Sequence, residues 1–133
     1  MKHQTYKRAD RVGEEIRKTI AHMLIEGDLR DARLQACTIT AVEMADDLRE
    51  GKVFFSLLGN PGVREEALHA FNRAAGFVRT EVARRLELRY APALRFYFDP
   101  SMERAARLSE LIKEARERDE AARREKEKED ADE

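Results

Sequence analysis

One helical pattern with a glycine at its centre occupies the middle of the chain. Its apolar residues recur at three- and four-residue steps, the spacing of a single helix face; they are Leu68, Phe71, Ala75, Val78, Val82 and Leu86. Gly76 lies inside this stripe, although a glycine in a helix interior costs about 1 kcal/mol relative to alanine. Two interpretations follow, a helix glycine in close contact with a strand or a junction between two short helices.

The segment before this pattern predicts a helix and a strand. A helical stripe covers residues 8–26 and ends at Gly27. β-Branched residues then predict a strand over 34–45, and its alternation slips between Ile39 and Val42 as it would at a β-bulge.

Two further strands flank the central helical pattern. Residues 52–58 follow a turn-like segment and predict the second strand of a hairpin. Helical periodicity then runs from about 63 to 88, and residues 94–98 alternate as a half-buried third strand. The order α-β-β-α-α-β-α predicts an α+β domain whose helices cover one face of a three-stranded sheet.

The C-terminal part of the chain changes character. A last helix with a short apolar stripe follows Pro100, and beyond Arg116 the residues are almost all charged or alanine. We therefore expect a domain over residues 1–116 and a tail over 117–133 that is disordered or a frayed helix.

Charge and composition exclude several classes of protein. The chain has a net charge of −1, but eight acidic and four basic residues give 119–133 a net charge of −4, which leaves +3 on the rest. There is no apolar run long enough for a membrane span and no apolar region behind the basic N-terminus, so we expect a cytoplasmic protein. Cys37 is the only cysteine, and the histidines have no ligand spacing. We expect no metal, no cofactor and no enzymatic activity.

The central helices suggest a nucleic-acid-binding plan. In a KH domain, a Gly-x-x-Gly loop between two helices binds the nucleic-acid backbone. The Gly-x-x-Gly of this chain, at 59–62, lies between a strand and a helix, where it predicts a plain turn. At the loop position the chain has only Ala74, Ala75 and Gly76. The prediction is a KH-like (type II) domain, α-β-β-α-kink-α-β, with a C-terminal helix and a charged tail.

An Ala-x-Gly kink in this position resembles the bacterial ribosome-binding factor A family. The resemblance extends over about residues 6–115 and is carried by RADRV (8–12), LRDARL (29–34), Val42-Glu43, Asp47-Leu48, Lys52-Val53, AGFVR (75–79), Leu88-Arg89, Pro92, Leu94, Phe96 and Asp99. It implies a monomeric, non-enzymatic assembly factor that binds the immature small (30S) ribosomal subunit and its 16S rRNA. It further implies support of 16S rRNA 5′-end processing and of growth in the cold, with no DNA or membrane partner.

Binding of an RNA backbone requires cationic side chains directed at phosphates. The candidate RNA-binding residues are Lys7, Arg8 and Arg11 near the N-terminus and Arg73, Arg79, Arg84, Arg85 and Arg89 near the glycine. For any single one of these arginines a solvated charge or the partner of a nearby glutamate is the favoured interpretation, whereas the set as a whole favours RNA binding. Phe54, Tyr90 and Tyr97 have the chemistry to stack on bases, but a half-buried sheet explains them equally well, so the sequence predicts no functional role for them.

Two other functions fit parts of the sequence. A KH-like protein-interaction adaptor without RNA contact is compatible with the small positive charge and the many glutamates. A DNA-binding helix-turn-helix is disfavoured, because the continuous stripe through Gly76 leaves no room for the three- or four-residue turn.

Overall fold

The computed structural model describes residues 2–132 of the chain, and the side chains of residues 8–132. Its elements are α1 (Lys2–Glu26), a 3₁₀ turn (Ala32–Leu34), β1 (Thr38–Met44), β2 (Glu50–Ser56), α2 (Pro61–Arg85), β3 (Ala93–Phe98) and α3 (Ser101–Ala131). Residues up to Asp99 form one compact unit, and those from Pro100 onward form a second. The predicted α+β class is confirmed.

The sheet has the order β1-β2-β3. β1 and β2 form the predicted antiparallel hairpin, and their register shifts between Ile39 and Ala41, where the broken alternation predicted a bulge. β3 pairs with β2 in parallel, so the chain must cross over between them, and α2 makes that connection.

The core lies between one face of the sheet and the helices α1 and α2. Its centre is an aromatic cluster, in which the ring centroid of Phe71 on α2 lies 4.8 Å from that of Phe55 and 4.7 Å from that of Phe96. Ile16 and Ile20 of α1 are fully buried in the same cluster. The alternation of β2 and β3 therefore divides each strand into core residues and residues of the opposite face.

The turn at residues 59–62 has the predicted role. Asn60 occupies the N-cap of α2, and its side-chain Oδ1 accepts a hydrogen bond of 3.0 Å from the backbone N–H of Val63. Pro61 begins the helix, where its missing N–H removes no hydrogen bond.

The two predicted central helices are a single helix, which corrects the sequence interpretation. α2 continues through Gly76 without a break, because the apolar stripe continues across it and outweighs the small propensity cost of one glycine. A Cβ added at Gly76 would meet nothing within 4 Å, so close packing does not require the glycine either. A bend of the helix axis, which needs no break in hydrogen bonding, stays a prediction. The hydroxyl of Thr80 donates to the Gly76 carbonyl at 3.0 Å, a bond that often accompanies such bends.

α2 ends earlier than its periodicity predicts. Glu87 adopts a left-handed backbone with φ of 52°, and the N–H of Leu88 donates to the carbonyl of Ala83 at 2.9 Å. This is a Schellman ending, formed here without the usual glycine.

α3 remains helical to Ala131, and none of its described residues is buried. The predicted division at residue 116 therefore stays a prediction, while the first compact unit ends at Asp99. No helix among residues 2–132 is both long and apolar enough to cross a bilayer.

Candidate nucleic-acid interface

An open groove of about 460 Å³ runs beside the middle of α2. One wall is the segment between α1 and β1, and the other is α2 just before and after Gly76. We call it the α2 groove, and its lining residues are Asp28, Leu29, Arg30, Asp31, Leu34, Ala70, Arg73, Ala74 and Phe77.

The acidic residues of the α2 groove are neutralised by arginines outside its lining. Asp28 accepts a hydrogen bond of 3.0 Å from Arg85, 57 residues away. Asp31 accepts from the guanidinium of Arg33 at 2.7 and 3.0 Å and from its backbone N–H at 3.0 Å. These bonds, first the side-chain bond to Arg33, lower the pKa of Asp31 to about 2, so its carboxylate is ionised and paired at neutral pH.

The two cations that line the groove are available for a ligand. Arg30 and Arg73 are exposed, and neither forms a hydrogen bond or ion pair with another described residue. Because both carboxylates are already paired, these two arginines give the groove a net positive charge.

An aromatic ring lines the groove, and an exposed glycine follows the groove residues Arg73 and Ala74 on α2. Phe77 leaves 49% of its surface exposed, and Gly76 beside it is exposed as well. Without a Cβ at Gly76, a ligand can approach the helix backbone closely. The arrangement offers positive charge and a stacking surface within one groove, while the accessible backbone at Gly76 lies on the same helix outside the groove lining.

The predicted arginines at the end of α2 are largely engaged within the protein. Arg79 donates to the backbone carbonyls of Pro92 at 2.9 Å and Ala91 at 3.2 Å, and it thereby holds the loop before β3. Arg84 bonds Glu81 at 2.8 and 3.1 Å. Arg85 pairs with Asp28 and, at 3.5 Å, with Glu81. Arg84 and Arg85 are therefore partners of nearby acidic residues, which is one of the two roles that the sequence left open.

The remaining predicted cations lie elsewhere. Arg89 is exposed and stands 5.5 Å from the ring centroid of Tyr90. Arg8 and Arg11 are exposed on α1, with Arg11 about 22 Å along the helix from its end at Glu26, at 1.5 Å per residue. The side chain of Lys7 lies outside the described residues. The role of all of them in RNA binding stays a prediction.

Sequence reasoning missed two residues of the groove. Phe77 had a usable signal, because it is a large apolar residue off the Leu68–Leu86 stripe. Arg30 had none, since it sits in a short polar connection whose geometry depends on the contact between that connection and α2.

No cluster of three or more potential metal ligands occurs among the residues that the structure describes. Cys37 is buried, and burial raises the pKa of its thiol to about 11, so it is a poor nucleophile at neutral pH.

Comparison with known proteins places this chain in a family. The family profile of ribosome-binding factor A matches residues 8–112. Ribosome-binding factor A of Geobacter metallireducens is 38% identical over 109 residues, which cover 82% of this chain and 92% of that protein. The crystal structure of ribosome-binding factor A from Thermus thermophilus is similar with a TM-score of 0.58 and 26% identity, over 67% of this chain and 93% of that one.

A third similar structure is a homology model of Thermus thermophilus RbfA fitted into the cryo-EM map of a 30S-RbfA complex. Its TM-score is 0.50 at 27% identity, over 65% of this chain and 93% of that one. Together with the profile match, these likenesses show that the chain belongs to the ribosome-binding factor A family.

Proposed function

We propose that this chain is a cytoplasmic assembly factor that binds the immature 30S ribosomal subunit, contacts 16S rRNA and acts by binding rather than by catalysis. We further propose that it supports processing of the 16S rRNA 5′ end and growth in the cold. Family membership supports the proposal, as does the similarity to the Thermus thermophilus protein fitted into a 30S complex.

The observation that carries the RNA contact is the charge balance of the α2 groove. Asp28 and Asp31 are paired, while Arg30 and Arg73 are exposed and form no hydrogen bond or ion pair with a described residue, although the charge of Arg73 also acts on Asp31. Unpaired arginines on a groove wall are suited to neutralise phosphates, and Phe77 on the same groove is suited to stack on a base.

Charge reversal in the groove tests this role. We expect Arg30→Glu with Arg73→Glu to weaken co-sedimentation with immature 30S subunits by at least about 10-fold, since two phosphate contacts are replaced by two repulsions. The matched control is Lys126→Glu with Lys128→Glu, the same change in net charge on exposed residues of α3. Far-UV circular dichroism should be unchanged in both variants, because all four side chains are exposed.

The salt dependence of binding separates RNA contact from a protein-interaction adaptor. For an RNA interface, the logarithm of the binding constant falls linearly with the logarithm of the salt concentration. The magnitude of this slope should be smaller in the groove variant by about 0.7 to 0.9 per lost phosphate contact. Subunit binding that is indifferent to salt and to the groove variant would instead support the adaptor and contradict the RNA contact.

The biological role is tested in a bacterium that lacks its own ribosome-binding factor A. We expect this chain to restore growth in the cold and to reduce the precursor of 16S rRNA, and the groove variant to do neither. Restoration by the groove variant at equal protein level would show that the α2 groove is not the working surface.

A further inference from the structure

The face of the sheet opposite the core carries two aromatic rings. In β2, Val53 and Phe55 are buried in the core, so Phe54 between them points to the other side. In β3, Leu94 and Phe96 are buried, and Tyr97 points away from the core with 38% of its surface exposed. We call this side the outer sheet face.

The two rings lie next to each other. Phe54 and Tyr97 are direct partners in the parallel register of β2 and β3. Their ring centroids are 5.7 Å apart with 31° between the ring planes. Neither residue belongs to the buried core, and Phe54 is partly buried while Tyr97 is exposed.

Two cations lie in the next row of the same face. Lys52 and Arg95 are register partners, both exposed, and neither forms an ion pair with another described residue. Like charges directly opposite each other on adjacent strands disfavour the folded state. Glu43 of β1 lies on the other side of Lys52 and offsets only part of this charge.

The cations and Tyr97 share an open concavity of about 630 Å³ with Arg49, Glu43 and Glu50. Three basic and two acidic side chains thus give this concavity an excess of positive charge. The ring row and the cation row are two residues apart, about 6.6 Å along the strands, so a nucleotide with its base on the rings can place a phosphate near the cations.

We propose that the outer sheet face binds single-stranded RNA, with a base stacked on Phe54 and Tyr97 and backbone phosphates on Lys52 and Arg95. Stacking rings beside unpaired cations form the platform that single-strand-binding surfaces use. A protein partner is less suited to this face, because apart from the two rings its apolar surface consists of small side chains such as Ala41 and Ala93 among charged residues.

This inference rests on the proposed function for its physiological ligand, rRNA, but it is tested with free RNA. The probe is a fluorescein-labelled oligouridine of about ten nucleotides, within the site sizes of single-strand-binding folds, which has no duplex structure. The measurement is fluorescence anisotropy against protein concentration. We expect Tyr97→Leu to bind at least about 10-fold more weakly than the unchanged chain, the lower part of the range for loss of one stacking partner. Tyr97→Phe should retain binding, because it keeps the ring.

Leu111→Ala is the control, since it removes apolar side-chain surface at an exposed position of α3. Lys52→Ala with Arg95→Ala should reduce the salt slope by about 1.4, at about 0.7 per single-strand phosphate contact. Thermal unfolding of each variant distinguishes a lost contact from a lost fold, and the cation variant supplies a test if Tyr97→Leu unfolds.

Four outcomes would overturn the inference. The unchanged chain does not bind the oligonucleotide, Tyr97→Leu binds it as well as the unchanged chain does, or only the Arg30→Glu, Arg73→Glu variant loses oligonucleotide binding. The fourth outcome is that the sheet variants lose association with 30S subunits but still bind the oligonucleotide. The last outcome would assign the face to a protein partner. Oligonucleotide binding through the sheet in a chain that does not co-sediment with 30S subunits would uphold the inference and refute the proposed function.

Discussion

Replacement of Gly76 by alanine tests whether α2 is a regular helix at its centre. Alanine in a helix interior is about 0.8–1.0 kcal/mol more favourable than glycine. The added Cβ would meet no atom within 4 Å, and Gly76 is not among the residues with positive φ, so neither a clash nor backbone strain opposes this gain. We expect the free energy of unfolding to rise by about 1 kcal/mol, which for a domain of about 100 residues raises Tm by about 4–8 °C.

The assay is urea unfolding followed by circular dichroism, with Gly13→Ala as the control. A Cβ at Gly13 would lie 2.7 Å from the carbonyl oxygen of Val42, so α1 and β1 would have to move apart. Such overpacking costs about 1–3 kcal/mol. The same substitution at two helix glycines should therefore change stability in opposite directions.

A loss of stability in Gly76→Ala would refute this reasoning, because it would mean that the backbone there needs a glycine, as a sharp bend does. Binding supplies the second half of the test. If the exposed glycine serves an approaching RNA backbone, Gly76→Val should fold and yet bind 30S subunits at least about 10-fold more weakly, a loss of about 1.4 kcal/mol. If the Gly76→Val variant folds and binds 30S subunits as tightly as the unchanged chain, Gly76 is not part of the interface.

Three further predictions concern side chains and one concerns the end of α2. Arg79→Ala should lower the free energy of unfolding by about 1–3 kcal/mol in urea, since two loop carbonyls lose their donor; an unchanged midpoint would contradict this role. Glu87→Gly should raise Tm, because glycine relieves the left-handed backbone at φ 52°. Iodoacetamide at pH 8 should modify Cys37 at least about 100-fold faster in urea than in the folded chain, as burial raises the pKa of the thiol from 9.0 to about 11. Because the pKa of Asp31 is lowered, its bond to Arg33 stabilises the fold above about pH 4, and this contribution is lost as the pH falls toward 2. The difference in urea midpoint between the unchanged chain and Asp31→Asn should therefore shrink from about pH 4 to about pH 2. A difference that stays constant over this range would contradict the prediction.

The parts of the fold that the sequence predicts are those with local causes. The turn at 59–62 and the bulge after Ile39 each depend on a few neighbouring residues, and both are in the structure as expected. The hairpin likewise depends on two short strands and the turn between them.

The continuity of α2 was not predictable from its glycine alone. A glycine in a helical pattern is compatible with a break, a bend or an undisturbed helix, and the balance depends on the packing of the whole stripe. The same holds for the end of the helix, because Glu87 carries no local signal for a left-handed backbone.

The candidate site was predicted by region rather than by residue. The sequence showed that arginines cluster around Gly76, but two of them form hydrogen bonds with residues distant in the chain. Arg85 donates to Asp28, and Arg79 donates to the loop before β3. Pairing in three dimensions engages Arg79, Arg84 and Arg85, and Arg73 of the predicted set lies in the α2 groove together with Arg30, which was not predicted.

The two proposed RNA contacts lie on opposite sides of a two-layer unit. The α2 groove belongs to the helical layer, and the outer sheet face is turned away from α1 and α2 by the alternation of β2 and β3. If RNA binds at both, we expect one strand in the groove to leave the sheet free for another. Because the surfaces share no described side chain, changes in one should add to changes in the other in their effect on the free energy of subunit binding, within about 0.5 kcal/mol. A combination of Arg73→Glu with Tyr97→Leu that weakens subunit binding no more than either change alone would show that the subunit uses only one of the two surfaces.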